Sequence, residues 1–193
     1  NVTAAYSGIW LDQGFSVGIK NCEFTQNTTT FASGRVVSAL SGSDMLIENC
    51  LFAKNVGGLA VLDYAQADMS IRNCTFVDNQ LSSNMAGVIL WAGHVGDNLR
   101  LENSIIFGNR DSMGSVVPSS FTLPGFLPVV TNSIIETPAN SATLVPPGFV
   151  DDANNDYRLL PGSAAVDGGT TVGLLPPPVG MATALDLVGN PRV

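Results

Sequence analysis

Positive charge is what this 193-residue chain has least of: eight Lys and Arg stand against sixteen Asp and Glu, for a formal net charge of −8. Recognition of nucleic-acid phosphates depends on clustered Lys and Arg, and eight scattered residues exclude such a partner. Histidine occurs once, as His94 in "WAGHVGDN", where it has no placed partner and reads as a surface residue rather than a general base. No run approaches the ~18–20 consecutive apolar residues of a membrane span, so no transmembrane segment is expected. The chain also opens without a charged n-region followed by an apolar h-region, and reads as a mature form or a piece of a longer protein. Three cysteines, Cys22, Cys50 and Cys74, are an odd number, which excludes a complete disulfide framework within the chain. Finally, no segment carries a capped, 3.6-residue apolar stripe, which argues against helices as the building units.

What is present is a repeat. "GIKNCEFTQN" (18–27), "LIENCLFAKN" (46–55) and "SIRNCTFVDN" (70–79) share one frame, and "RLENSIIFGN" (100–109) and "VVTNSIIETP" (129–138) carry it with changes. The first Asn of each unit falls at Asn21, Asn49, Asn73, Asn103 and Asn132, with gaps of 28, 24, 30 and 29. Such a period marks stacked units that cannot bury an apolar face alone. Within a unit the pattern has period two: apolar two before the Asn (Ile19, Ile47, Ile71, Leu101, Val130), Cys or Ser one after it, and Phe or Ile three after it. Period two means strand.

The Asn between two strands has a physical task. It enters the left-handed region more cheaply than other side-chain-bearing residues, and its amide both donates and accepts along a stack. Asn21, Asn49, Asn73, Asn103 and Asn132 are therefore expected to form a structural ladder, with Asn49 and Asn73 internal. Asn27, Asn55, Asn79 and Asn109 are expected to act similarly at the next corner. Gly-led apolar runs, "GIWL" (8–11), "GRVV" (34–37), "GLAVL" (58–62), "GVILW" (87–91) and "GSVV" (114–117), supply a further strand. Three strands and three bends per unit make one coil of a parallel β-helix. Cys22, Cys50 and Cys74 occupy one equivalent position and are expected as buried thiols filling a core column. Just before each Asn, Lys20, Glu48, Arg72 and Glu102 alternate in sign, so that neighbours attract along the stack and resist slippage of register.

The "FTQN", "FAKN" and "FVDN" motifs, with "GGLAV" between them, resemble the repeats of bacterial polymorphic outer-membrane proteins. The stretch "GFVDDANNDYRLLPGSAAVDGG" with "DLVGNPRV" resembles the end of secreted bacterial choice-of-anchor Q proteins. The resemblance implies a right-handed, all-β parallel solenoid of about five to six coils over 1–145 and an irregular closing segment over 146–193, within a single domain. It also implies an extracellular, bacterial cell-surface location and a chain cut from a longer surface protein.

Chemistry is harder to read. Asp44, Asp68 and Asn98 share one offset, five before the Asn. They are expected as Asx turns, with Asp44 and Asp68 the candidates should a cation such as Ca²⁺ bind there. "DANND" (152–156) begins like a calcium loop but has Tyr157 where Gly is needed and Ser163 where Glu belongs, so a polar turn is expected. Asp12 and Asp63 are two coils apart, too far to act as a pair. Hence no catalytic or cofactor-binding residue is assigned. Outward apolar residues, Leu51, Val77, Ile105 and Phe107, form a possible interface. The expected function is a non-catalytic structural, adhesive or self-assembling surface module, partnered by itself or another surface protein. The alternative is a carbohydrate-active or glycan-binding β-helix, which rests on analogy of fold.

Overall fold

The computed structural model describes residues 3–4, 7–11, 16–29, 34–39, 44–58, 60–65, 68–82, 87–92, 98–117, 128–137 and 143–166. Three columns of parallel strands run along the stack. The first holds Val17–Lys20, Met45–Glu48, Met69–Arg72, Leu99–Glu102 and Val129–Thr131, and the second Glu23–Thr25, Leu51–Ala53, Thr75–Val77, Ile105–Phe107 and Ile134–Ile135. The third holds Ser7–Leu11, Arg35–Ala39, Ala60–Ala65 and Gly87–Ala92. The register pairs equivalent residues of successive repeats, Ile19 with Ile47, Ile47 with Ile71 and Ile71 with Leu101. A short fourth ladder, Thr28–Thr29, Val56, Gln80–Leu81 and Arg110–Asp111, links the second column to the third.

Two left-handed residues per coil make the corners. Asn21, Asn49, Asn73, Asn103 and Asn132 have φ between 47° and 55°, and five residues on Gln26, Lys54, Asp78 and Gly108 have φ of 55°, 53°, 53° and 72°. Each takes a place that strict alternation would point inward, and the residue after it points inward instead. Cys50, Cys74 and Ser104 are thus buried behind the first corner, and Asn55, Asn79 and Asn109 behind the second.

The core repeats with the coil. Ile47, Ile71 and Leu101 are fully buried beneath the first column, and Phe52 and Phe76 beneath the second. The rings of Phe24, Phe52 and Phe76 stack with centroids 4.7 and 4.6 Å apart. That is the strand spacing itself, so the backbone ladder sets the aromatic stack. In the third column Val36, Val37, Val61, Val88 and Ile89 are all buried. Because neighbours in a strand face opposite sides, the column is covered on both faces by the chain itself.

Two expected elements lie elsewhere. "GSVV" does not join the third column: Asp111 Oδ1 accepts from the amides of Met113 and Ser115, and Val116 bridges back antiparallel to Arg110. In the closing segment, Phe149–Asp151 and Asp156–Leu159 form an antiparallel hairpin around the 3-10 turn Asp152–Asn154. This hairpin is fixed to the flank of the second and third coils rather than beneath the last.

Candidate functional site

The outward side of the first column carries a hollow. Its rungs align Gly18, Leu46, Ser70 and Arg100 in register, and the small residues at 18 and 70 leave room between larger neighbours. Asp44, Asp68, Asn98 and Arg72 line, with these rungs, an open groove of about 550 Å³. The corner there is an Asx ladder: Asp68 Oδ1 accepts from the backbone and side-chain amides of Asn98 at 2.7 and 3.1 Å. Asp68 and Asn98 are thus joined as a hydrogen-bonded Asx pair at this offset. Among the described residues no three Asp, Glu, His or Cys side chains converge as a metal cage. Beside the groove the alternating charges pair along the stack, Lys20 with Glu48 at 2.9 Å and Arg72 with Glu102 at 3.0 Å.

The Asn residues divide between the corners. At the first, Asn49 Nδ2 donates to Asn21 Oδ1 at 2.6 Å, and the five Asn side chains are half-buried or exposed. The internal ladder expected at Asn49 and Asn73 lies one corner further on. Asn27, Asn55 and Asn79 each donate their side-chain amide to the Oδ1 of the Asn below, at 2.9, 2.8 and 2.8 Å, and donate their backbone N–H to the same oxygen. The amides of Asn55, Asn79 and Asn109 also reach the carbonyls of Phe24, Phe52 and Phe76. The first-corner set could not be internal because its residues occupy the left-handed bend itself.

The possible interface is partly closed. Val77 is 1% exposed and Ala53 is likewise buried, while Leu51, Ile105 and Phe107 are half-buried. Beside Ala53 and Val77 the hairpin docks through the residues that follow them. Lys54 Nζ donates to the carbonyls of Asp152 and Ala153 at 2.9 and 3.1 Å, and the Tyr157 hydroxyl donates to Asp78 Oδ2 at 3.3 Å. Phe149 packs edge-on against Tyr157 with centroids 5.3 Å apart. Burial raises the Asp78 carboxyl above its ordinary value, against the Tyr157 hydrogen bond and with Asp152 adding to the rise. Burial and then Asp78 raise the Tyr157 hydroxyl too. "DANND" is a polar turn: Asp151 caps it through the Asn154 amide, Asn155 is left-handed, and Asp156 pairs with Arg158 at 2.5 Å.

Several of these residues escaped a reading by offsets. Gln26, Lys54, Asp78 and Gly108 sit at the third place of each "FxxN" or its equivalent, and these four residue types share no mark of the left-handed bend they make. Arg110 and the buried Glu136 form a two-pronged pair at 2.8 and 3.1 Å, with nothing in the repeat to mark it. His94, Asp12 and residues 167–193 lie outside the described residues, as does the side chain of Asp63.

The sequence model of a family described as "right handed beta helix region" matches residues 1–136. No curated protein and no solved structure matches the chain.

Proposed function

The chain belongs to the right-handed β-helix family, and from that premise we propose that it is a non-catalytic module of an extracellular bacterial surface protein, acting as a scaffold that associates with itself or a neighbour. The observation that carries this is the use of its polar groups. The buried Asn side chains, the outward Lys20–Glu48 and Arg72–Glu102 pairs and the Asp68–Asn98 contact all join one coil to the next. The place of association shifts from the flank to the end of the stack. Val130 holds the inward position that Ile47, Ile71 and Leu101 fill, yet it is 42% exposed, with Val129 beside it at 48%. The resemblance of 148–169 to choice-of-anchor Q proteins supports the surface location. Light scattering at high micromolar concentration tests the reading. Association that Val130→Lys weakens and Phe107→Glu leaves unchanged is expected, and a stable monomer would remove self-assembly from the proposal.

A second reading rests on the groove. Asp44, Asp68, Asn98, Arg72 and Arg100 lining one open trough suit the hydroxyls of a glycan. Titration calorimetry against a polysaccharide panel, with sugar-release assays in added Ca²⁺, separates binding from turnover. Release of unsaturated or reducing sugars would replace the non-catalytic reading.

A further inference from the structure

The cysteines are free, with Cys22 half-buried and Cys50 and Cys74 buried. They follow the left-handed Asn of three successive coils, so all three thiols project inward in one column. The amide of Leu51 donates to the Cys22 carbonyl at 3.0 Å and that of Thr75 to the Cys50 carbonyl at 2.9 Å, which fixes them on adjacent rungs. Rungs about 4.8 Å apart fall inside the Cα separation that a disulfide spans. Below Cys74 the column continues as Ser104, whose hydroxyl accepts the Cys74 amide at 3.1 Å.

The three thiols are not equivalent. The S–H of Cys50 donates to the Glu48 carbonyl at 3.2 Å and that of Cys74 to the Arg72 carbonyl at 3.1 Å, and the neighbouring Cys74 thiol holds Cys50 below the usual thiol range. Burial raises Cys22, and raises the enclosed Cys74 well above its usual value. Cys22 is therefore the thiol that solvent reaches, and Cys50 is the one whose thiolate is favoured. Stacked side chains point the same way, whereas an S–S bond needs a dihedral near 90°. Cys22, half-buried where Cys50 and Cys74 are buried, is the least enclosed of the three for the turn of the side chain that this requires.

We propose that Cys22 and Cys50 form an oxidation-gated staple between the first two described coils, loaded by a small disulfide such as glutathione disulfide. In the first step Cys22 loses its proton to solvent, its sulfur attacks one sulfur of the disulfide, and one glutathione thiolate leaves. In the second the Cys50 thiolate attacks Cys22 Sγ, the Cys22–glutathione bond breaks, and the second glutathione thiolate leaves. Two protein thiols are oxidised and one disulfide is reduced to two thiols. Cys74 stays reduced and assists as the neighbour that lowers the Cys50 thiol. The staple pins the rungs Val17–Lys20 and Glu23–Thr25 to those of the next described coil.

The test is to equilibrate the purified chain in glutathione buffers of increasing oxidised fraction, quench with acid, alkylate, and map the peptides. The expected result is one alkylated thiol, Cys74, and a linked peptide joining Cys22 to Cys50. In Cys50→Ser the glutathione adduct should persist on Cys22. In Cys74→Ser closure should slow at neutral pH and recover as pH rises. If Cys50→Ser does not fold, Cys22→Ser serves instead, and its two remaining thiols should stay reduced. Three alkylated thiols at every buffer ratio, a lasting adduct on Cys22 of the unsubstituted chain, or a Cys50–Cys74 link would each overturn the proposal.

Discussion

The two corners of each coil use the same amino acid for different purposes. At the first, Asn21, Asn49, Asn73, Asn103 and Asn132 are themselves the left-handed residues, and their side chains sit at the rim. At the second, the left-handed place belongs to Gln26, Lys54, Asp78 or Gly108, and the Asn that follows is buried with its amide in the ladder. One Asn is selected for its backbone and the other for its hydrogen bonds. Position relative to the bend, not residue type, decides which.

Substitution should separate the two roles. Asn79→Ala removes the oxygen that accepts from both amides of Asn55 and the donor that reaches the Phe52 carbonyl. Stranding buried polar groups costs about 1–3 kcal/mol each, so the loss should be about 3 kcal/mol or more in chemical denaturation. Asn79→Gly should be no milder. A midpoint that does not move would mean that the buried ladder carries no stability. At the first corner the expected loss is smaller and its pattern is different. Asn73→Ala keeps a Cβ at φ 52° but loses the amide that eases the left-handed conformation, a cost of up to about 1–2 kcal/mol, whereas Asn73→Gly removes the Cβ strain and should lie close to the unsubstituted chain. If Gly proves as damaging as Ala at 73, the side chain matters there and the contrast between corners fails.

The coil itself was legible because its offsets are strict. Ile71, Cys74 and Phe76 recur in equivalent places and share a period of two, and the structure stacks them in register. The ladder expected at Asn55, Asn79 and Asn109 is present, but that it and not Asn49 and Asn73 is the internal one was not legible, because alternation cannot be counted through a left-handed residue. Each such residue advances the inward phase by one place, and nothing about Lys54 or Asp78 as a residue type announces it. The groove was foreshadowed only in part. The shared offset of Asp44, Asp68 and Asn98 was visible, but the hollow depends on Gly18 and Ser70 being small beside Leu46 and Arg100. The flank contact was invisible for a simpler reason: Lys54 meets Asp152 across 98 residues of sequence, and no local pattern reports such a partner. Val77 therefore read as an open apolar face when the chain buries it.

The smallest expected effect uses pH to test the second corner where it serves the hairpin. Asp78 is a left-handed residue whose carboxylate accepts from Tyr157, faces Asp152, and is opposed in charge by Lys54 and Arg110. Burial outweighs the favourable groups and raises its folded value above the unfolded one. For a carboxyl the sign is then the reverse of an ion-paired Asp. The ionised form is disfavoured in the folded state, so this residue costs stability above its folded value. That cost fades as pH falls through the folded value toward the ordinary Asp range. Asp156, whose value Arg158 lowers, contributes in the opposite direction and loses its contribution on further acidification. Asn tolerates the left-handed conformation and can still accept from the Tyr157 hydroxyl. Asp78→Asn should therefore raise the thermal midpoint at neutral pH, by an amount equivalent to less than about 1 kcal/mol, and the gain should shrink as pH is lowered. Amide exchange across Phe149–Leu159 should follow the same course, slower in the variant at neutral pH and equal to the unsubstituted chain in acid. A variant that is less stable at neutral pH would show that the charge on Asp78 holds the hairpin, and that its partners outweigh its burial.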